Sequence, residues 1–179
     1  MGYPPGWDEI HNYKFPTLRN ARVVFFWATN CKSDPSGDLV IKARAIMKQH
    51  NLDLNVFRQP SRSSDMELPF QEQVYLDDHA EELRKKAAQK FDEKAQRARL
   101  PVIFCPFRDG FGESTGGLTL KKTNWPPYVL INSENVAPDK VTLLHEMIHA
   151  AGGVDQNLEG NVMSYSASRS DFLRNDVIR

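Results

Sequence analysis

The stretch VTLLHEMIHAAGGVD, residues 141–155, decides how the rest of the chain is read. On an α-helix, residues four apart share a face, with Cβ atoms about 5–6 Å apart. His145 and His149 can therefore direct two imidazole nitrogens at one zinc ion, each at roughly 2.0–2.1 Å. Glu146 follows the first histidine directly, so its carboxylate can reach a metal-bound water without ligating the metal. Zinc lowers the pKa of such a water towards about 7, and a carboxylate can take its proton as it attacks a carbonyl carbon. A helix with two histidines could also be merely structural. Two imidazoles and a carboxylate among Leu143, Leu144, Met147 and Ile148 make an odd core, however, unless a metal offsets their desolvation.

Two histidines leave a zinc ion short of a ligand. A glutamate from a later helix would give a thermolysin-like site, but the only Glu after the motif is Glu159, ten residues past His149 and in a turn-like stretch. Asp155 is better placed, because Gly152 and Gly153 can end the helix and allow a reversal that swings Asp155 back to the metal.

Outward from the motif, the chain reads as one domain of strands and helices. ARVVFFWAT (21–29) is a dense apolar run and a buried strand. A helix follows over about 37–50, with Leu39, Ala43, Ile46 and Met47 inward. LDLNVFR (52–58) alternates as a second strand, and QPSRSSDMELP is a loop. A charged amphipathic helix is expected over about 70–99, with an inner stripe of Val74, Leu83, Ala87, Phe91 and Ala95. LPVIFCPF (100–107) is a buried strand, the glycine-rich RDGFGESTGG a connector or rim, and GLTLKK (117–122) a short strand. TNWPP turns the chain into a strand over 128–136. The motif helix is expected from about Pro138, a good first-turn residue, and a last helix over about 168–178. This alternation predicts an α/β (α+β) architecture with a mixed, mostly parallel sheet.

Composition narrows the function classes. The 179 residues carry 23 Lys plus Arg against 23 Asp plus Glu, so no whole-protein field favours nucleic acid or an anionic membrane. No run approaches the length of a membrane-spanning helix. The first sixteen residues lack the pattern of a secretory signal. Cys31 and Cys105 allow at most one bridge and read as two small buried hydrophobes.

HEMIHAAGGVD resembles the metzincin signature, HExxH followed by xxGxx and a third ligand, and Met163 in NVMSY resembles the methionine of that family's Met-turn. The motif covers about residues 138–166. It maps the metal ligands onto His145, His149 and Asp155, the general base onto Glu146, the glycine onto Gly152, and the family tyrosine onto Tyr165. Most metzincins have His where Asp155 stands; a snapalysin-like minority carry Asp. A carboxylate there leaves the site less positive and the Lewis acid somewhat weaker. An aspzincin-like site using Asp171 or Asp176 lacks the sequence context of that class.

The resemblance implies a metzincin-like zincin fold: a mostly parallel twisted sheet with an antiparallel edge strand, an active-site helix and a C-terminal helix. It implies a single catalytic domain over 1–179, with a leader (1–20), a sheet and helix part (21–137), and a part holding the zinc motif and Met-turn (138–179). The implied activity is Zn2+-dependent endopeptidase cleavage of protein or peptide substrates. Tyr165 would ligate zinc or hydrogen-bond the oxyanion, or simply pack in the turn. Gly117, Leu118, Thr119 and Leu120 would form the edge strand on which substrate adds as a further strand. The expected protein is a monomer that binds no nucleic acid and does not insert into a membrane. It would be secreted or delivered outside the producing cell as a toxin or effector protease, with a cognate inhibitor or immunity protein as a further partner. A Cys31–Cys105 bridge is conceivable if their strands are neighbours. A non-catalytic zinc-binding module and a hydrolase of a non-peptide amide are the alternatives.

Overall fold

In a computed structural model, the structure describes residues 14–71, 76–91, 98–107, 115–122, 125–155, 161–164 and 169. The chain forms a mixed α/β fold around a six-stranded, mostly parallel sheet. Its strands are β1 (Arg19–Ala28), β2 (Leu52–Val56), β3 (Glu67–Leu68), β4 (Leu100–Cys105), β5 (Gly117–Lys122) and β6 (Trp125–Asn132). Three helices are described: α1 (Ser36–Lys48), α2 (Leu76–Lys90) and α3 (Thr142–Ala150).

The strand order is β2-β1-β4-β6-β5, with β3 beside β1. Every pairing is parallel except that of β5 with β6. A parallel sheet covered on both faces needs strands that are apolar throughout, and Val23 to Ala28 are at most 1% exposed without alternation. Stacked Trp27 and Phe104, with Phe25 edge-on to both, join β1 to β4. α1 buries Leu39, Val40, Ala43, Ile46 and Met47; it touches α3, so the two helices share one face of the sheet.

Several boundaries differ from the sequence reading. The loop at 59–69 contains a 3-10 turn, Ser64–Met66, and strand β3; two residues are too few to show a period. Phe70 and Gln71 lie outside α2, which ends at Lys90 rather than near 99. Leu83 and Ala87 are buried and Phe91 is partly so, whereas Val74 and Ala95 lie outside the described residues.

β6 begins at Trp125, inside the expected turn, and ends at Asn132 rather than 136. Pro126 and Pro127 are tolerated because β4 joins β6 only from Val129 onwards, and on the other side they face a bulge between Leu120 and Lys122. α3 begins at Thr142, not Pro138. Ala137 to Lys140 form a turn instead, with the Lys140 amide donating to the Ala137 carbonyl at 2.9 Å and Lys140 at φ 58°. That left-handed conformation cannot continue into a helix. The expected helix at 168–178 lies outside the described residues.

Cys31 and Cys105 are both buried free thiols. Their segments are neighbours, and the Cys31 thiol donates to the Phe104 carbonyl at 3.1 Å, so no bridge is formed. Burial pushes both thiols above their ordinary pKa, which keeps them protonated.

Candidate metal centre

α3 presents His145, Glu146 and His149 towards a cleft of about 1040 Å³, walled on the other side by Gly117 to Lys121 of β5. The helix stops in a Schellman arrangement. The Gly153 amide donates to the Ile148 carbonyl at 2.8 Å and the Gly152 amide to the His149 carbonyl at 2.9 Å. Gly152 stands at φ 100°, a conformation L side chains rarely adopt. A Cβ on Gly153 would lie 2.9 Å from the Ile148 carbonyl oxygen. The two glycines thus make the reversal that brings Asp155 back over the helix.

Three ligand-type atoms converge there. The Nε2 atoms of His145 and His149 are 3.1 Å apart. Asp155 Oδ1 lies 3.2 Å from His149 Nε2 and 3.5 Å from His145 Nε2. Tetrahedral nitrogen and oxygen ligands at about 2.0–2.1 Å from one ion lie roughly 3.3 Å from each other, and the three separations bracket that value.

The far side of each imidazole is fixed by main chain. His145 Nδ1 is 2.9 Å from the Val162 carbonyl oxygen, and His149 Nδ1 is 3.0 Å from that of Gly153. A carbonyl can only accept, so each Nδ1 carries the proton and each Nε2 presents a lone pair. Two lone pairs and a carboxylate face one another, an arrangement that suits a cation. Burial holds the His145 imidazole below the usual histidine pKa, favouring the neutral form that ligation needs. His145, His149 and Asp155 therefore form a group that could hold a metal ion.

Glu146 is 6% exposed. The Thr119 hydroxyl lies 2.7 Å from its Oε2 and 2.8 Å from its main-chain oxygen. Burial raises the Glu146 pKa against the opposing effect of that hydroxyl. Gly117 gives the side chain room, since a Cβ there would stand 2.8 Å from Glu146 Cγ and 2.9 Å from Thr142 Cγ2.

Met163 is fully buried in a turn over 161–164. Its amide donates to Asn161 Oδ1 at 2.7 Å, and the Ser164 amide to the Asn161 carbonyl at 3.0 Å. The turn thereby aims the Val162 carbonyl at His145. Tyr165, Glu159, Asp171 and Asp176 lie outside the described residues. Of the expected edge strand, Gly117, Leu118, Thr119 and Leu120 all line the cleft.

Sequence reading missed the Asp139–Arg169 pair. Arg169 Nε and a terminal guanidinium nitrogen lie 2.7 and 3.1 Å from the two Asp139 oxygens, and the second guanidinium nitrogen donates to the Ser164 carbonyl at 3.2 Å. Both side chains are 9% exposed and line the cleft. Nothing in the sequence links two charges thirty positions apart. Thr119 was more accessible to inference, since it stands two positions from Gly117 on a strand and so shares its face.

Comparison with models of protein families, with curated proteins and with solved structures finds no match to this chain.

Proposed function

We propose that this chain is a zinc-dependent endopeptidase of the metzincin kind, with His145, His149 and Asp155 as metal ligands and Glu146 as general base. The convergence of Nε2 of both histidines with Asp155 Oδ1, beside a buried carboxylate and an edge strand, carries the reading. Zinc suits two imidazoles and a carboxylate, and a bound ion would supply Lewis acidity to a carbonyl and to an attacking water. The sheet supports the same reading: among the described residues its one antiparallel strand lies at the edge, against the helix that bears the motif.

In this scheme Glu146 takes a proton from the attacking water and delivers it to the leaving nitrogen. Its buried site raises its pKa towards the range useful for such exchange. Substrate lies extended along β5, whose main chain supplies affinity that depends little on sequence. Tyr165, two places after Met163, is the candidate to stabilise the oxyanion. Action outside the producing cell, and control by an inhibitor protein, belong to the same proposal.

The test combines elemental analysis with cleavage of casein by the wild type and Glu146→Ala. One zinc per chain in both, with cleavage by the wild type alone, is the expected result. Zinc in both with cleavage by neither would favour a non-catalytic metal module. Absence of zinc from the wild type would overturn the proposal.

A further inference from the structure

β5 has β6 on one side and, among the described residues, no strand on the other. The Asn132 amide donates to the Gly116 carbonyl at 2.8 Å, which makes these two a hydrogen-bonded pair. The ladder continues through Gly117 with Ile131, Leu118 with Leu130, and Thr119 with Val129. Hydrogen-bonded and non-bonded pairs alternate along an antiparallel ladder, so the main-chain groups of Gly117 and Thr119 point away from β6, to the free margin. Side chains alternate as well, and those two positions face α3: Gly117 leaves the space that Glu146 fills, and the Thr119 hydroxyl holds the Glu146 carboxylate at 2.7 Å. A single residue thus carries free main-chain groups for an incoming strand and a side chain on the acid beside the metal ligands.

We propose that Thr119 is a positioning residue that couples substrate docking to the orientation of Glu146. A peptide pairing with the free margin of β5 fixes the Thr119 backbone, and the hydroxyl passes that constraint to the carboxylate. The same hydroxyl lies 2.8 Å from the Glu146 main-chain oxygen, so its single proton is shared between two acceptors on Glu146 and holds β5 against α3 at this point. Glu146 is then held ready for the water in the presence of a docked chain. This inference rests on the endopeptidase reading.

Two variants of the full chain test it: Thr119→Val removes the hydroxyl at nearly constant shape, and Thr119→Ser restores it. With casein-derived peptides, Thr119→Val should lower kcat about 10- to 100-fold, the scale of a misplaced catalytic group. KM and zinc content should stay near wild type, and Thr119→Ser should recover most of the rate. A second readout is the side-chain carboxyl carbon resonance of Glu146 in 13C-glutamate-labelled protein, assigned by its loss in Glu146→Gln. It should shift or broaden in Thr119→Val and stay in place in Thr119→Ser. An unmoved resonance, an unchanged kcat, or equal losses in both variants would overturn the role of Thr119 while leaving the endopeptidase intact. Failure of the wild type to cleave or to bind zinc would overturn the enzymatic reading itself, and this role with it.

Discussion

The carbonyl oxygen of Val162 lies 2.9 Å from Nδ1 of His145, across seventeen positions of sequence. This contact ties the turn containing Met163 to His145, a member of the group that could hold a metal ion. It also sets the imidazole tautomer, because only a protonated Nδ1 can donate to a carbonyl. The carbonyl is aimed by Asn161, whose side chain accepts from the Met163 amide at 2.7 Å.

Replacing Asn161 by Ala should therefore weaken metal binding without touching a ligand. Loss of an outer partner of a metal-ligating histidine typically costs about 10- to 100-fold in affinity. Competition with a zinc chelator should show a drop of that order. An unchanged affinity would mean that the turn holds its shape without the asparagine.

Asp155 is the most exposed member of the group, at 45% of its side chain against 7% for His145. Asp155→Ala should therefore leave the fold intact and reduce zinc affinity by more than the outer-partner scale of about 100-fold. Chelator titration followed alongside thermal unfolding of the metal-free protein checks both parts. Equal zinc affinity in the variant would remove Asp155 from the ligand set.

Gly117→Ala places a methyl group 2.8 Å from Glu146 Cγ and 2.9 Å from Thr142 Cγ2. Either β5 retreats from α3 or Glu146 is displaced. Overpacking of this kind costs about 1–3 kcal/mol, and activity on casein should fall about tenfold or more, given the sensitivity of catalysis to misplacement. Urea denaturation and cleavage rates measured on the same preparation separate the two effects.

The Asp139–Arg169 pair predicts a pH dependence of stability. Burial raises the Asp139 pKa, but hydrogen bonds from Arg169 and Val141 and the guanidinium charge more than offset it, leaving the group below its ordinary value. A pKa depressed in the folded state contributes stability that is present in full above the unfolded value of about 4 and is lost as pH falls through the folded value. Asp139→Asn should be destabilised by about 1.5–3 kcal/mol at neutral pH, the scale of a hydrogen bond to a charged group. Its deficit against wild type should shrink below about pH 4. A deficit that stays constant across that range would show that the charge of Asp139 is not what stabilises the native chain.

How far the sequence reveals this molecule depends on whether a feature is written in side chains or in main chain. β1 and β4 stand out because burial on both faces demands unbroken apolar runs, and α1 because its core positions recur at helical spacing. His145, Glu146 and His149 fall together because four residues make one helical turn, and Asp155 follows from two glycines that can reverse the chain. The carbonyls of Val162 and Gly153 that orient the imidazoles have no residue signature, since any amino acid supplies one. The late start of α3 depends on a turn at Ala137–Lys140 and on the grip of Arg169 on Asp139, a partnership that exists only in three dimensions. The early start of β6 through two prolines becomes intelligible only once its neighbours, and the bulge opposite, are known.

A sheet margin left unpaired can be extended by any strand, including the same strand of another copy, and self-stacking is the hazard of such a margin. Here β5, which has no neighbour on its outer side among the described residues, is six residues long, bulges after Leu120, and ends in two exposed lysines, Lys121 and Lys122. Like charges and a broken register oppose continuous growth of one sheet onto the next, while the straight portion from Gly117 to Leu120 stays accessible to a single short guest. Lys121 also walls the cleft whereas Lys122 lies beyond it, so Lys122→Ala should promote aggregation while leaving the cleft wall unaltered.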